Sequence, residues 1–243
     1  MRFESTLKSW LGGLLFLAGI LIGLALSASV TWGESEAGLY TSYNADAGFQ
    51  IKCPYVLAPT ELGKVSVRIA NLTNEDIQPV VTAQVSHANV PREVEQTVSL
   101  NAKESKTIAW TVDPSDVVFG RLILVNVLQS RYRDNPSFLG SCGILLFSLF
   151  PLKGAETFGF LIVASLAAML FGGAFWLRER PQPLSNYSAN LKRISTTLMV
   201  ITILALLTMF PRWWGLTLVL DALVLLVSGV ILTDFVLFSK YKS

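Results

Sequence analysis

Two carboxylates, Asp221 and Asp234, stand inside an apolar run near the C-terminus. Acidic side chains in such runs are costly, and they are the groups that pass protons or hold cations inside a membrane. Their spacing limits the chemistry. Thirteen residues of helix at about 1.5 Å each separate them by about 20 Å, so they cannot share one proton. Asp221 alone is the candidate for a proton or cation step, and Arg212 across the preceding turn is its expected ion-pair partner. Asp234 lies at the other end of the run, within reach of lipid headgroups or Lys240. The plainer reading makes both carboxylates interfacial or subunit-paired.

The remaining reactive side chains are few. His87 is the one histidine and lies outside every apolar run. Histidine ligation of a haem or chlorophyll within those runs is therefore excluded, and no CxxCH attachment motif is present. Cys53 and Cys142 are the only cysteines. Two cysteines and one distant histidine do not make a zinc site. Both flank a polar middle section, and the expectation is that they pair as a disulfide, the alternative being two free buried thiols. No Gly-rich phosphate loop, HExxH or GxSxG occurs, so the chain is expected to be no enzyme and to carry no cofactor. Asn71-Leu72-Thr73 matches the N-glycosylation acceptor pattern.

The elements that must position these residues follow from composition. The chain has 243 residues, 52% hydrophobic and 15% charged, well short of the quarter charged usual in soluble domains. The apolar residues form four runs, at 10–32, 158–177, 194–210 and 216–238. A bilayer core needs about 20 helical residues, about 17 at the least, so four spans are expected. Asp221 and Asp234 fall in the fourth. Trp10, Trp32, Trp176, Trp213 and Trp214 stand at the run ends, where tryptophan anchors to headgroups. Small residues recur at helical spacing in two runs, as Gly19, Gly23 and Ser27 and as Ala164, Ala168 and Gly172. Such faces admit another helix closely, either within this chain or from a partner.

Basic residues near the run ends give the orientation. Arg2, Lys8, Arg178, Arg180, Lys192, Arg193, Lys240 and Lys242 gather on one side if both termini are cytoplasmic, against Lys153 and Arg212 on the other. The section 33–155, with ten Lys/Arg and twelve Asp/Glu, then lies outside. The first run, followed by "ALSAS", also reads as a cleavable signal; the retained anchor is the preferred reading.

The middle section alternates as half-buried strands do. "KVSVRIAN" sets Val65, Val67 and Ile69 on one face, "VVTAQVSH" sets Val81, Ala83 and Val85, and "TIAWTV" sets Ile108, Trp110 and Val112. "FGRLILVNVLQS" is continuous, as in a central strand. "CGILLFSLFPLKG" holds ten apolar-rich residues, 143–152, too few to span, and is expected to be the last strand, or a strand that becomes a membrane-surface segment. About seven strands separated by turn signals describe an immunoglobulin-like sandwich. "APTELGKVSVRIANLTNEDIQPVVTAQVS" followed by "TVSLNAKESKTIAWTV" resembles bacterial extracytoplasmic Ig-like domains of the CARDB-like group, over about residues 58–128. The resemblance implies a fold and no catalytic residues. The polar loop 129–138 offers Arg131, Tyr132 and Arg133 as a partner contact.

The expected architecture is thus a membrane protein, a four-span α-helical bundle with an extracytoplasmic all-β Ig-like sandwich between spans 1 and 2. The divisions are 1–32, 33–155 and 156–243. The expected function is a non-enzymatic accessory or scaffold subunit of a larger integral membrane complex. Its partners would be other membrane protein subunits and the lipid bilayer, with no nucleic acid and no evident small-molecule substrate. The alternatives are a small transporter or channel component using Asp221, and a ligand-sensing or adhesion protein.

Overall fold

The computed structural model describes residues 2–40, 45, 47–88, 90–132, 136–149, 151–178 and 185–240; side chains are described from 10 onward and not at 47, 177–192 and 230–240. The chain divides into two compact units, Met1–Thr31 with Gly159–Ser243, and Trp32–Phe158.

The second unit is two facing sheets. One sheet runs in the order β1 (Ala47–Gly48), β9 (Phe138–Leu146), β8 (Leu122–Gln129), β5 (Val80–Val85), β6 (Arg92–Thr97), and β3 (Val56–Leu57) also pairs with β9. The other runs β2 (Ile51–Lys52), β4 (Gly63–Ala70), β7 (Ser105–Val112). The short strands β1 and β3 run parallel to β9; the other pairings are antiparallel. Val65, Val67 and Ile69 of β4, Ile108, Trp110 and Val112 of β7, and Val81, Ala83 and Val85 of β5 all enter one core. That is the consequence of period-two alternation: each strand turns one row of side chains away from water. β8, the continuous apolar run, is flanked by β5 and β9 as a central strand.

Two boundaries and one buried face differ from the sequence expectation. β9 begins at Phe138 and ends at Leu146, so the described residues after it, 147–149 and 151–153, are loop rather than strand. The opposite face of β5 is buried too: Thr82, Gln84 and Ser86 are covered instead of solvated. Helix α1 (Arg2–Leu39) continues seven residues past Trp32. Its last turns lie on the outer face of β8 and β9. Ala37 packs with Leu122 and Leu124, and a Cβ on Gly143 would run into the backbone of Gly33. Glycine is needed at that crossing because the two backbones touch.

At the other exit, α2 (Gly154–Arg178) starts against β3. A Cβ on Gly154 would lie 2.6 Å from Leu57 Cα. Glu61 Oε2 accepts hydrogen bonds from the N–H of Gly154 at 2.8 Å and of Ala58 at 3.2 Å, tying the 58–62 loop to the first helical residue. A carboxylate there also suits the positive end of the helix dipole. The rings of Tyr55 and Phe158 stack at 5.2 Å.

The helical unit comprises the first part of α1, the remainder of α2, α3 (Ser185–Thr208) and α4 (Trp214–Lys240). Two helices, Trp10–Leu39 and Gly154–Trp176, are long and apolar enough to cross a membrane, with 30 and 23 residues. The apolar stretches Arg193–Thr208 and Trp214–Gly229 are shorter among the described residues. Arg212, at φ 57°, takes the left-handed conformation in the turn before α4.

Candidate functional site

Within the helical unit, glycine spacing on α1 sets how closely helices meet. A Cβ on Gly19 would lie 2.7 Å from Met169 N and 2.8 Å from Ser165 O, and one on Gly12 would lie 2.7 Å from Trp176 N. Ser165 Oγ donates to Gly19 O at 2.7 Å. The small residues of α1, Gly19 and Gly23, thus meet α2 of this same chain. The facing stripe on α2 is Ser165, Met169 and the expected Gly172, where a Cβ would run into the backbone of Phe16; the expected Ala164 and Ala168 stand half-buried beside it. Phe16 and Trp176 stack at 5.8 Å and close one end.

Asp221 lies inside this unit, 7% exposed. Ser27 Oγ donates to its Oδ1 at 2.7 Å, joining α1 to α4, and also lies 3.0 Å from Gly23 O. The expected pairing with Arg212 does not form among the described residues; the carboxylate uses Ser27 instead. Nine residues of chain place Arg212 before the helix and Asp221 two turns into it, which exceeds the reach of the turn. Thr208 and Thr217 hydroxyls pair at 3.0 Å across α3 and α4. The Asp234 side chain lies outside the described residues. Trp10, Trp32, Trp213 and Trp214 are exposed, whereas Trp176 is half-buried on Phe16.

In the sandwich, Cys53 and Cys142 form a disulfide with their Cα atoms 6.7 Å apart. Cys53 follows β2 and Cys142 lies mid-β9, so the bridge crosses from one sheet to the other. Cys142 is fully buried in the core.

A second polar cluster went unnoticed in the sequence. Ser86, His87 and Asp116 meet where β5 ends, and their types suggest a hydrolytic triad. The geometry removes it. Ser86 Oγ donates to the Asp116 carbonyl at 2.6 Å and accepts from Leu124 N at 2.9 Å, so both its functions serve the backbone. His87 Nδ1 is 3.8 Å from Asp116 Oδ1, beyond a hydrogen bond. Asp116 is buried and its Oδ2 accepts from Arg92 Nη2 at 2.9 Å and from Asp113 N at 3.0 Å. The cluster closes the Pro114–Asp116 3-10 turn as a reciprocal capping box. Hydrogen bonds from the Ser115 hydroxyl and N–H hold the Asp113 carboxyl below its usual range. Nearby, Tyr40, Ala88, Val117, Val118, Phe119 and Gly120 line a cavity of about 340 Å³. Its one titratable lining group is Tyr40, whose hydroxyl is pushed up by burial.

The loop offered as a partner contact is only partly exposed. Arg131 faces solvent, Tyr132 packs half-buried against the sandwich core, and Arg133 lies outside the described residues. Asn71 is buried, 2% exposed. Its Nδ2 donates to Glu75 O at 2.7 Å and Asn101 O at 2.8 Å, and its Oδ1 accepts from Thr73 N at 2.9 Å. The amide that a glycan would need is spent in the turn. No group of three or more His, Cys, Asp or Glu could hold a metal ion among the described residues.

No family model matches the chain, and no curated protein matches it. The sandwich is similar to solved structures. One is the CARDB domain of a Pyrococcus furiosus protein, 18% identical, covering 44% of this chain and 97% of that one, with a TM-score of 0.31. A cycloisomaltooligosaccharide glucanotransferase from Paenibacillus sp. is 14% identical over 44% of this chain and 15% of its own, TM-score 0.35. A β-glucuronidase from Bacteroides uniformis is 11% identical over 40% and 12%, TM-score 0.31. The match thus spans a small part of each enzyme. The neighbours include an Ig-like CARDB domain, and likeness at this level carries no activity across.

Proposed function

We propose that the chain is an integral membrane protein whose four helices form a bundle and whose sandwich lies on the non-cytoplasmic side, with both termini cytoplasmic. One observation carries the membrane reading: the helical unit buries hydroxyls and a carboxylate among its apolar core while leaving many large apolar side chains uncovered. Ser27, Ser165, Ser195, Thr202, Thr217 and Asp221 are buried, while Leu21, Val163, Phe171, Leu207, Val219 and Leu226 are exposed. In water that arrangement would forfeit about 1.5–3 kcal/mol for each large side chain left uncovered; in lipid it costs nothing, and interhelical hydroxyl bonds add cohesion. Lys106→Cys, on the sandwich, tests the orientation. A membrane-impermeant maleimide should label it on intact cells; labelling only after lysis would reverse the topology.

Within that frame the chain acts as a non-enzymatic accessory or scaffold subunit, the sandwich touching a partner's outer domain. The support is that Ser86, Asp116, Asn71 and the two cysteines are engaged in holding the fold. Purification in mild detergent should yield a co-migrating membrane protein; a lone monomer would count against the reading. A transporter component using Asp221 is the second reading, favoured by the burial of that carboxylate between α1 and α4. Asp221→Asn keeps an acceptor for Ser27 and removes the charge. Unchanged flux and assembly would remove this reading.

A further inference from the structure

The base of the sandwich carries exposed apolar side chains. The 58–62 loop is held to the first residue of α2 by Glu61. The next residue, Leu62, is 69% exposed. The loop after β9 begins with Phe147, whose N–H donates to Leu57 O at 2.9 Å. Leu57 is also the residue against which Gly154 packs. Phe147 is thus fixed beside the same helix start, and it is 38% exposed. Tyr55 reaches Phe158, one turn into α2, and stacks on it. Lys153, exposed, immediately precedes the helix. Trp32 marks the other chain exit, is exposed and donates to Glu36 at 2.9 Å.

Aromatic rings, aliphatic tips and a lysine at the level where an apolar helix begins are the chemistry of a headgroup–acyl boundary. An aliphatic tip left in water there contributes nothing, whereas insertion removes it from water. Lysine complements lipid phosphate.

We infer that the base of the sandwich is itself a bilayer-binding surface, with Leu62 and Phe147 inserted at the headgroup–acyl boundary of the outer leaflet and Lys153 on lipid phosphate. This inference rests on the membrane reading above, and it adds that the sandwich itself binds the lipid surface. Leu72, 59% exposed in the turn after β4, is the comparison: equally apolar, and remote in the strand register from the start of α2.

The test uses the full oxidised chain in phosphatidylcholine/phosphatidylglycerol vesicles. Leu62→Cys, Phe147→Cys, Leu72→Cys and Val163→Cys are each labelled with an environment-sensitive fluorophore; the native cysteines are bonded and do not react. The inference expects emission at 62 and 147 to shift to the blue and to be lost on adding lipid spin-labelled near the headgroup, while emission at 163, about 13 Å into α2, is read with lipid spin-labelled deep in the acyl chain. Emission at 72 should stay water-like. Quenching at 163 with water-like emission at 62 and 147 overturns the lipid contact of the sandwich while leaving the membrane reading intact. Absence of quenching at 163 overturns both. Failure of the fold is recognised separately, because it would expose more than one reactive thiol after mild reduction.

Discussion

Breaking the Cys53–Cys142 bridge is the perturbation whose size follows most directly from the fold. It closes 89 residues of chain and joins the two sheets. Constraining a loop of that length in the unfolded chain is worth about 4.6 kcal/mol at 25 °C by chain entropy, an upper figure because reduced ensembles retain structure. Spread over the roughly 127 residues of the sandwich unit, with about 2.1 cal/mol/K of unfolding entropy each, the loss lowers its melting midpoint by up to about 17 °C. The assay is pulse proteolysis of the full chain in mild detergent, oxidised or reduced by a phosphine. Reduction leaves both thiols in place, so no cavity confounds the comparison. With no other cysteine in the chain, the reductant has one target. Cys53→Ala/Cys142→Ala serves as the control and should not respond to reductant. A reduced midpoint within about 1 kcal/mol of the oxidised one would refute the entropic argument. A response in the control would show that the reductant acts elsewhere.

Gly143→Ala places a methyl group in the Gly33 backbone and should destabilise the sandwich by about 1–3 kcal/mol, measured by the same proteolysis; a neutral result would show that α1's last turns do not pack there. Asn71→Ala removes a side chain that satisfies two carbonyls and should cost about 1–3 kcal/mol, and Asn71 should remain unmodified in a glycosylating host, as read by mass spectrometry. Asp113 has a lowered pKa, so its contribution is present above the usual carboxylate value of 3.8 and fades as pH falls through the lower folded value. Asp113→Asn should therefore flatten the acid limb of the stability profile; an unchanged limb would assign acid sensitivity to other groups.

The alternation of Val65, Val67 and Ile69, and of Ile108, Trp110 and Val112, needed no tertiary knowledge, because strand geometry sends every second side chain to one face. The four apolar runs and the isolated cysteines were equally legible, since length and composition alone carry them. The tail of α1 was not. Gly33 and Gly38 are poor helix formers and polar residues surround them, so the sequence puts 33–39 with the sandwich section, and the helix shows only once the sheet supplies a surface for Ala37. Asn71 reads as an acceptor motif, and only the turn that consumes its amide says otherwise. The same holds for Asp221: the sequence fixes that a carboxylate lies among apolar residues, but its partner, Ser27, is 194 residues away. Patterns of period and composition are local and survive in one dimension. Which backbone touches which, and which hydrogen bond consumes a reactive atom, depend on contacts between distant segments, and these exist only once the chain has closed on itself.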